Sequence, residues 1–218
     1  MILSDKLDEY LKTSREEHEK PKNNEFHASS AGSCPRAMVI NRLLPAKENL
    51  ALSKIFLVGD LIHQFIQNKL LSSGKSEEKV NFDIEQMLFI RGRLDYIDDD
   101  YVWEFKSIAS LAYVKDAPKP EHVKQINIYL KATNRTKGKI VYVEKNTFNM
   151  AEHEVTFDKE LFNETIKEFL IVKHHLELST LPDRLEGFPD KNWKCRYCDR
   201  REECLKGIEI QTRLMNGD

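Results

Sequence analysis

The segment from Leu88 to Lys106 constrains the fold more than any other part of the chain. Leu88, Ile90 and Leu94 alternate in parity with polar residues, the period of a strand with one buried face. Asp98-Asp99-Asp100 is a turn signal, and residues 101–106 return as a second short strand. A four-residue turn over 98–101 predicts rungs joining Ile97 to Val102 and Asp95 to Glu104. Directly opposed residues lie about 4.5–5.5 Å apart at Cβ, so two carboxylates there repel each other unless a cation sits between them. Mg²⁺ or Mn²⁺ suits such oxygen donors. Glu104 and Lys106 are two apart and share a face, which brings an ammonium to the same point. A metal that polarises phosphate and acidifies water, beside a fixed positive charge, is equipment for phosphodiester hydrolysis.

Around this hairpin the chain alternates helical and extended signals. Apolar residues at helical spacing predict an amphipathic helix within 3–20 and a second from Pro35 to about Leu44. The clearest helix covers 53–71, with Ile55, Phe56, Gly59, Ile62, His63, Ile66 and Leu70 on one stripe. Further helices are expected over 120–132 and from an Asp158 N-cap through Leu178. Strands are expected over 139–144 and 152–157, and His27 to Ser33 reads as a loop. At 218 residues the chain can build a core without staples, and one domain over 1–218 is expected. No run approaches the ~20 apolar residues of a membrane helix. The N-terminus has no signal-peptide pattern. The expectation is a cytoplasmic protein with reduced thiols. A net charge of −2 excludes coating of nucleic acid by bulk charge but not a local basic groove. From Asp190 to Lys206 there are six Lys/Arg against four Asp/Glu.

Cys34 stands alone, while Cys195, Cys198 and Cys204 form C-x₂-C-x₅-C near the other end. Four thiols suit a soft-metal site, and ligand type alone leaves zinc and iron–sulfur both open. A thioredoxin-like pair would need a preceding strand, which the tail lacks.

Gly92-Arg93-Leu94-Asp95 followed by Glu104-Phe105-Lys106 resembles the core of the PD-(D/E)XK nucleases of the RecB type. His63 in Gly59-Asp60-Leu61-Ile62-His63 is similar to that family's upstream metal-site histidine. Gln125-Ile126-Asn127-Ile128-Tyr129 is similar to its Q-x-x-x-Y helix. The cysteine layout, with Cys34-Pro35-Arg36 upstream, resembles the iron–sulfur subset that includes the CRISPR-associated RecB-type exonucleases. The resemblance covers about 27–206. It implies a restriction-endonuclease-like α/β fold: a mixed central sheet flanked by helices, with a nuclease core over about 53–178. A helical iron–sulfur lobe would be made from both chain ends, about 27–52 and 179–206.

The resemblance assigns metal ligation to Asp95, Glu104, the Phe105 carbonyl and His63. It gives catalysis to Asp95, Glu104 and Lys106, with Gln125 and Tyr129 in support, and a [4Fe–4S] cluster to the four cysteines, zinc being the alternative. It implies exonuclease action on single-stranded DNA ends, in CRISPR adaptation or in recombination and end processing, with the proteins of those pathways as partners. Tyr113, Lys115, Lys119, Lys124, Trp193, Arg196, Tyr197 and Arg200 are candidates to follow such a strand. A different class, a non-catalytic nucleic-acid-binding module with a zinc or cluster site, sits poorly with two opposed carboxylates.

Overall fold

The central strand β3 (Leu88–Ile97) organises the architecture, because three other strands pair with it. The computed structural model describes residues 2–13, 21–44 and 49–206. The expected N-terminal helix is α1 (Leu3–Thr13), and its predicted continuation over 14–20 lies outside the described residues, as does Pro45. The chain then forms β1 (Glu25–His27), α2 (Pro35–Leu43), α3 (Leu50–Phe65), which ends in one π turn over Ile66–Leu70, and β2 (Lys75–Ile84). After β3 follow β4 (Val102–Ile108), α4 (Pro120–Thr133), β5 (Lys137–Glu144), β6 (Met150–Thr156), α5 (Lys159–Glu177), α6 (Trp193–Arg196) and α7 (Arg201–Lys206). These build a six-stranded mixed sheet in the order β1-β3-β4-β5-β6, with β2 on the other edge of β3. The fold is the expected restriction-endonuclease-like α/β architecture, a mixed sheet flanked by helices.

Local chemistry explains most boundaries. Pro35 opens α2 and Pro120 opens α4, where a missing N–H costs nothing. The Asp158 carboxylate accepts from the N–H groups of Glu160 and Leu161 at 2.8 and 3.0 Å, capping α5. Asn134 ends α4 in the left-handed conformation at φ 55°. β1 is only three residues long, too short to carry a period, which is why His27 reads as loop in the sequence.

The core lies on both faces of the sheet. Leu88, Ile90, Leu94, Val102, Ile126, Leu130, Ile140, Tyr142 and Phe169 belong to one cluster. Ile62, Ile66, Tyr96, Phe105, Val141 and Val143 form the other. β5 feeds both clusters in alternation, so it reads as the continuous apolar run of a doubly covered strand. α3 departs from its expected packing. Ile62 and Ile66 are buried, but Ile55, Phe56 and Leu70 are exposed. Its sheet-facing contact is thus limited to the last turns, and the predicted stripe is not a core face. α3 also begins earlier than the expected residue 53, because Asn49 caps it, accepting from the Leu52 N–H at 3.0 Å.

Segments near the two ends pack together. The Arg36 guanidinium donates to the Pro182 carbonyl at 2.6 Å. The Arg200 Nε donates to Asn41 at 2.6 Å, and Lys194 Nζ to the Gly32 carbonyl at 2.7 Å.

Gly92 is required by a close approach. A Cβ there would stand 2.5 Å from the Tyr129 ring and 3.1 Å from the Ala28 methyl. Neither a ring nor a strand yields cheaply in a packed core. Gly92→Ala should therefore destabilise the protein by about 1–3 kcal/mol, read as a lower urea midpoint at unchanged m-value.

Candidate active site

The β3–β4 hairpin makes two rungs, Ile97 to Val102 and Tyr96 to Trp103, and then stops. The expected Asp95–Glu104 rung is not formed. The Asp95 Oδ2 instead accepts from the Phe105 N–H at 2.6 Å, so a side chain takes the place of a backbone partner and the strands part. β1 occupies the same edge of β3 but reaches only Phe89 to Arg91. Residues 92–95 are left without a ladder partner on that edge. The irregularity extends to β2. Glu77, opposite Asp95, has φ 58° and makes no rung. The Asp95 carbonyl is taken by Gln67 Nε2 at 2.8 Å, and Gln67 also donates to Glu77 at 2.6 Å. Leu94 and Tyr96 are two apart yet belong to different core clusters, so the strand switches face between them while its register with β2 is kept.

The gap lets helices from both faces reach one point. From α3, His63 Nδ1 lies 3.5 Å from Asp95 Oδ1. From α4, Gln125 Oε1 accepts from Lys106 Nζ at 3.0 Å, and Lys106 Nζ pairs with Glu104 Oε1 at 2.6 Å. Gln125 Nε2 donates to the Tyr129 hydroxyl at 3.3 Å, which in turn donates to the Arg93 carbonyl at 3.1 Å. One unbroken chain thus runs Glu104–Lys106–Gln125–Tyr129–Arg93. His63, Asp95, Glu104, Lys106, Gln125 and Tyr129 all line one open cleft. The buried Phe105 supplies backbone to the cleft, while its ring packs edge-on against His63, centroids 6.0 Å apart.

Glu104 is 2% exposed, and its Oε2 is buried without a hydrogen-bond partner. Burial first, and the Asp95 charge second, push its pKa up to about 7, against the pull of Lys106. Burial works to lower the Lys106 pKa, but Glu104 outweighs it and the net direction is up. At His63 burial again lowers, while the hydrogen bond and charge of Asp95 win and raise it. Among the described residues no group of three or more His, Cys, Asp or Glu is drawn together tightly enough to hold a metal ion. The carboxylates are turned to protein partners, Asp95 to an N–H and Glu104 to an ammonium.

The cysteines come together from both ends. Cys34, Cys195, Cys198 and Cys204 are free thiols lining one cavity, bordered by Arg36, Arg184, Arg200 and Arg201. Burial raises the pKa of Cys195 and Cys198, and at both Cys34 and Cys204 raise it further.

None of the eight residues expected to follow a nucleic-acid strand lines the cleft. Arg200 is buried and holds Asn41, and Lys124 is paired with Glu168 at 2.5 Å. Tyr113, Trp193 and Tyr197 are exposed elsewhere. The cleft is instead walled by Lys79, Phe89, Arg91 and Arg93. The signal for the β3 residues was present, since they hold the odd positions opposite buried Ile90 and Leu94.

A mixed sheet that parts around two carboxylates and a tethered lysine has the architecture of a nuclease of the restriction-endonuclease-like fold. The chain belongs to the PD-(D/E)XK nuclease superfamily, whose family model matches residues 68–205. It is 28% identical over 211 residues to the CRISPR-associated exonuclease Cas4 of Saccharolobus solfataricus, covering 90% of this chain and 92% of that protein. The crystal structure of SSO0001 superposes with a TM-score of 0.62 at 20% identity, covering 94% of this chain and 96% of that one. An alkaline exonuclease (LHK-Exo) from Laribacter hongkongensis gives a TM-score of 0.51 at 15% identity, over 84% of this chain and 96% of that one. Both structural likenesses concern the fold.

The buried Glu104 carries a stability consequence. Its pKa stands at about 7 in the folded protein against an ordinary 4.5, so the folded state holds the proton more tightly. Stability therefore falls as pH rises from about 4.5 through 7, by about 3 kcal/mol from this group in the metal-free protein. His63 acts in the same direction, because a raised imidazole pKa loses its contribution as pH climbs through it. Thermal melts in chelator should show a lower Tm at pH 8 than at pH 6, and Glu104→Gln should flatten that slope.

Proposed function

We propose that this protein is a metal-dependent exodeoxyribonuclease acting on single-stranded DNA ends. The observation that carries the reading is the buried, unpartnered Glu104 Oε2 beside Asp95 in an open cleft. A buried carboxylate oxygen with no donor is costly unless a cation completes it. The donor set fits Mg²⁺ or Mn²⁺: Asp95, Glu104 and the Phe105 carbonyl offer oxygen, and His63 stands by. The Phe105 N–H points into the gap, and the carbonyl of the same residue leaves the strand on that edge. The bound ion supplies Lewis-acid polarisation of the phosphate and a more acidic water.

The chain's own groups do the rest. Asp95 and Glu104 hold their carboxylates on either side of the gap. Lys106 keeps its proton and places its ammonium where charge develops as water oxygen bonds to phosphorus and the ester oxygen departs. Gln125 orients that ammonium, and Tyr129 fixes Gln125 against the Arg93 carbonyl. The exonuclease assignment draws support from the name of the Saccharolobus relative, which is CRISPR-associated. DNA as substrate is supported by a solved complex of LHK-Exo with dAMP, at a TM-score of 0.51. CRISPR adaptation, or recombination and end processing, is the corresponding setting. The cytoplasm suits thiols that must remain reduced, and no helix among the described residues is long and apolar enough to cross a membrane.

The four cysteines are read as ligands of a [4Fe–4S] cluster in a lobe built from residues near both ends of one nuclease domain. A four-iron cluster takes four thiolates around a cavity, and all four cysteines line one. The thiols already oppose one another's ionisation, and the surrounding arginines offset thiolate charge. The expected role is structural, a clamp that closes a long loop.

Asp95→Ala should lower the rate on single-stranded DNA by about 10³-fold or more, and chelator should abolish activity until Mg²⁺ or Mn²⁺ is returned. A variant that degrades DNA at the parental rate would remove the catalytic assignment. Anaerobically purified protein should be brown, with broad visible absorbance. Cys198→Ser should lose iron and melt at a lower temperature, and a colourless parent with stoichiometric zinc would replace the cluster by zinc.

A further inference from the structure

β3 has a second polar face whose residues the proposed chemistry does not use. Ile90 and Leu94 are buried on one side, so Phe89, Arg91 and Arg93 stand on the other and line the same cleft as Asp95. Register continues the pattern sideways. Lys79 pairs with Arg93, Asn81 with Arg91, and His27 of β1 flanks Arg91. Cross-strand partners share a face, so His27, Arg91 and Asn81 form one row, and Arg93 with Lys79 the next. Asp95 begins the row after that. The three cations therefore occupy two successive rows, Arg91 in one and Arg93 beside Lys79 in the next, leading to the carboxylates.

The charges are available. Lys79 makes no ion pair among the described residues. Arg91 and Arg93 pair with Glu25 at 3.1 Å and Glu77 at 2.6 Å, but their side chains are 53% and 65% exposed. Exposed pairs of this kind are weak and exchange readily for another anion. At the far end the Arg91 guanidinium lies over the Phe89 ring, 5.1 Å from its centroid. A guanidinium stacked over an aromatic ring offers a flat platform for an unpaired base.

We propose that this face of β2 and β3 is the track that leads a single nucleic-acid strand to the active site: Arg91, and then Arg93 with Lys79, hold its phosphates, and Phe89 receives a base at the far end. The proposal rests on the nuclease reading for what happens at Asp95, but not for the binding itself. From Phe89 to Asp95 is six residues, about 20 Å at ~3.4 Å per residue. That length accommodates up to about six stacked nucleotides at ~3.4 Å each.

The test is fluorescence anisotropy of labelled single-stranded oligonucleotides of graded length on the full chain, with Ca²⁺ in place of Mg²⁺ and probe integrity checked on a gel. Parental affinity should rise with length and level off at about six nucleotides. Lys79→Gln, Arg91→Gln and Arg93→Gln should each weaken binding of a twelve-nucleotide probe by about 3–10-fold, and each should cut the slope of log K against log salt by about 0.7. Phe89→Leu should weaken binding by about tenfold with the salt slope unchanged. Lys173→Gln, a charge removed from a helical pair with Glu177 away from the cleft, should match the parent. Charge variants with parental affinity and slope would overturn the track. A Mg²⁺ cleavage assay run in parallel separates the two ideas. A parent that binds through these residues but cleaves nothing removes the nuclease reading and leaves the track. A parent that cleaves while the variants bind normally does the reverse.

Discussion

The Asp95 carboxylate accepting the Phe105 N–H is the contact on which the site depends. A regular hairpin would have continued past Tyr96 and Trp103, closed the edge of β3 and set Asp95 against Glu104 as a repelling surface pair. By capping one strand's N–H with the other's side chain, the protein stops the ladder and opens a gap in the middle of its own sheet. A gap is the one place where side chains from both faces can meet. His63 arrives from a helix packed on one cluster, and Gln125 and Tyr129 from a helix packed on the other.

An opened sheet leaves backbone groups without partners, and buried ones are costly. The surrounding residues answer this. Gln67 takes the Asp95 carbonyl, and the Tyr129 hydroxyl takes that of Arg93. Gly92 provides the room Tyr129 needs to do so. Tyr129 thereby links the strand that opens to the lysine that the proposed reaction uses, through Gln125. The same polar chain leaves Glu104 Oε2 unsatisfied. A folding sequence rarely tolerates such an atom in its core, and a site for a cation is the economical explanation.

The hairpin, the helices at Pro35, Pro120 and Asp158, and the order of the site residues could all be read directly from the chain, because caps, turns and period act over a few residues. All six side chains expected around the hairpin line one cleft, and all four cysteines line one cavity. The packing of α3 did not survive, since an apolar stripe identifies a face but not whether another element covers it. The nucleic-acid candidates lie away from the cleft for a related reason. Lys124, Trp193 and Arg200 carry suitable chemistry, but whether they face a cleft, a carboxylate or the core is settled by contacts distant in sequence.

By itself, then, the sequence determined most of the strands and helices, the starts at Pro35, Pro120 and Asp158, and which chemical groups the protein commits to one hairpin and one cysteine set. These follow from short-range sterics and hydrogen bonding. Only the tertiary structure decided that the Asp95–Glu104 rung is broken, that β1 and β4 share one edge of β3 with a gap between them, and that Arg91 and Arg93 face that gap. Those outcomes depend on β5 and α4 drawing β4 away while β2 holds β3. Such a balance among distant partners is not encoded in any local stretch of residues.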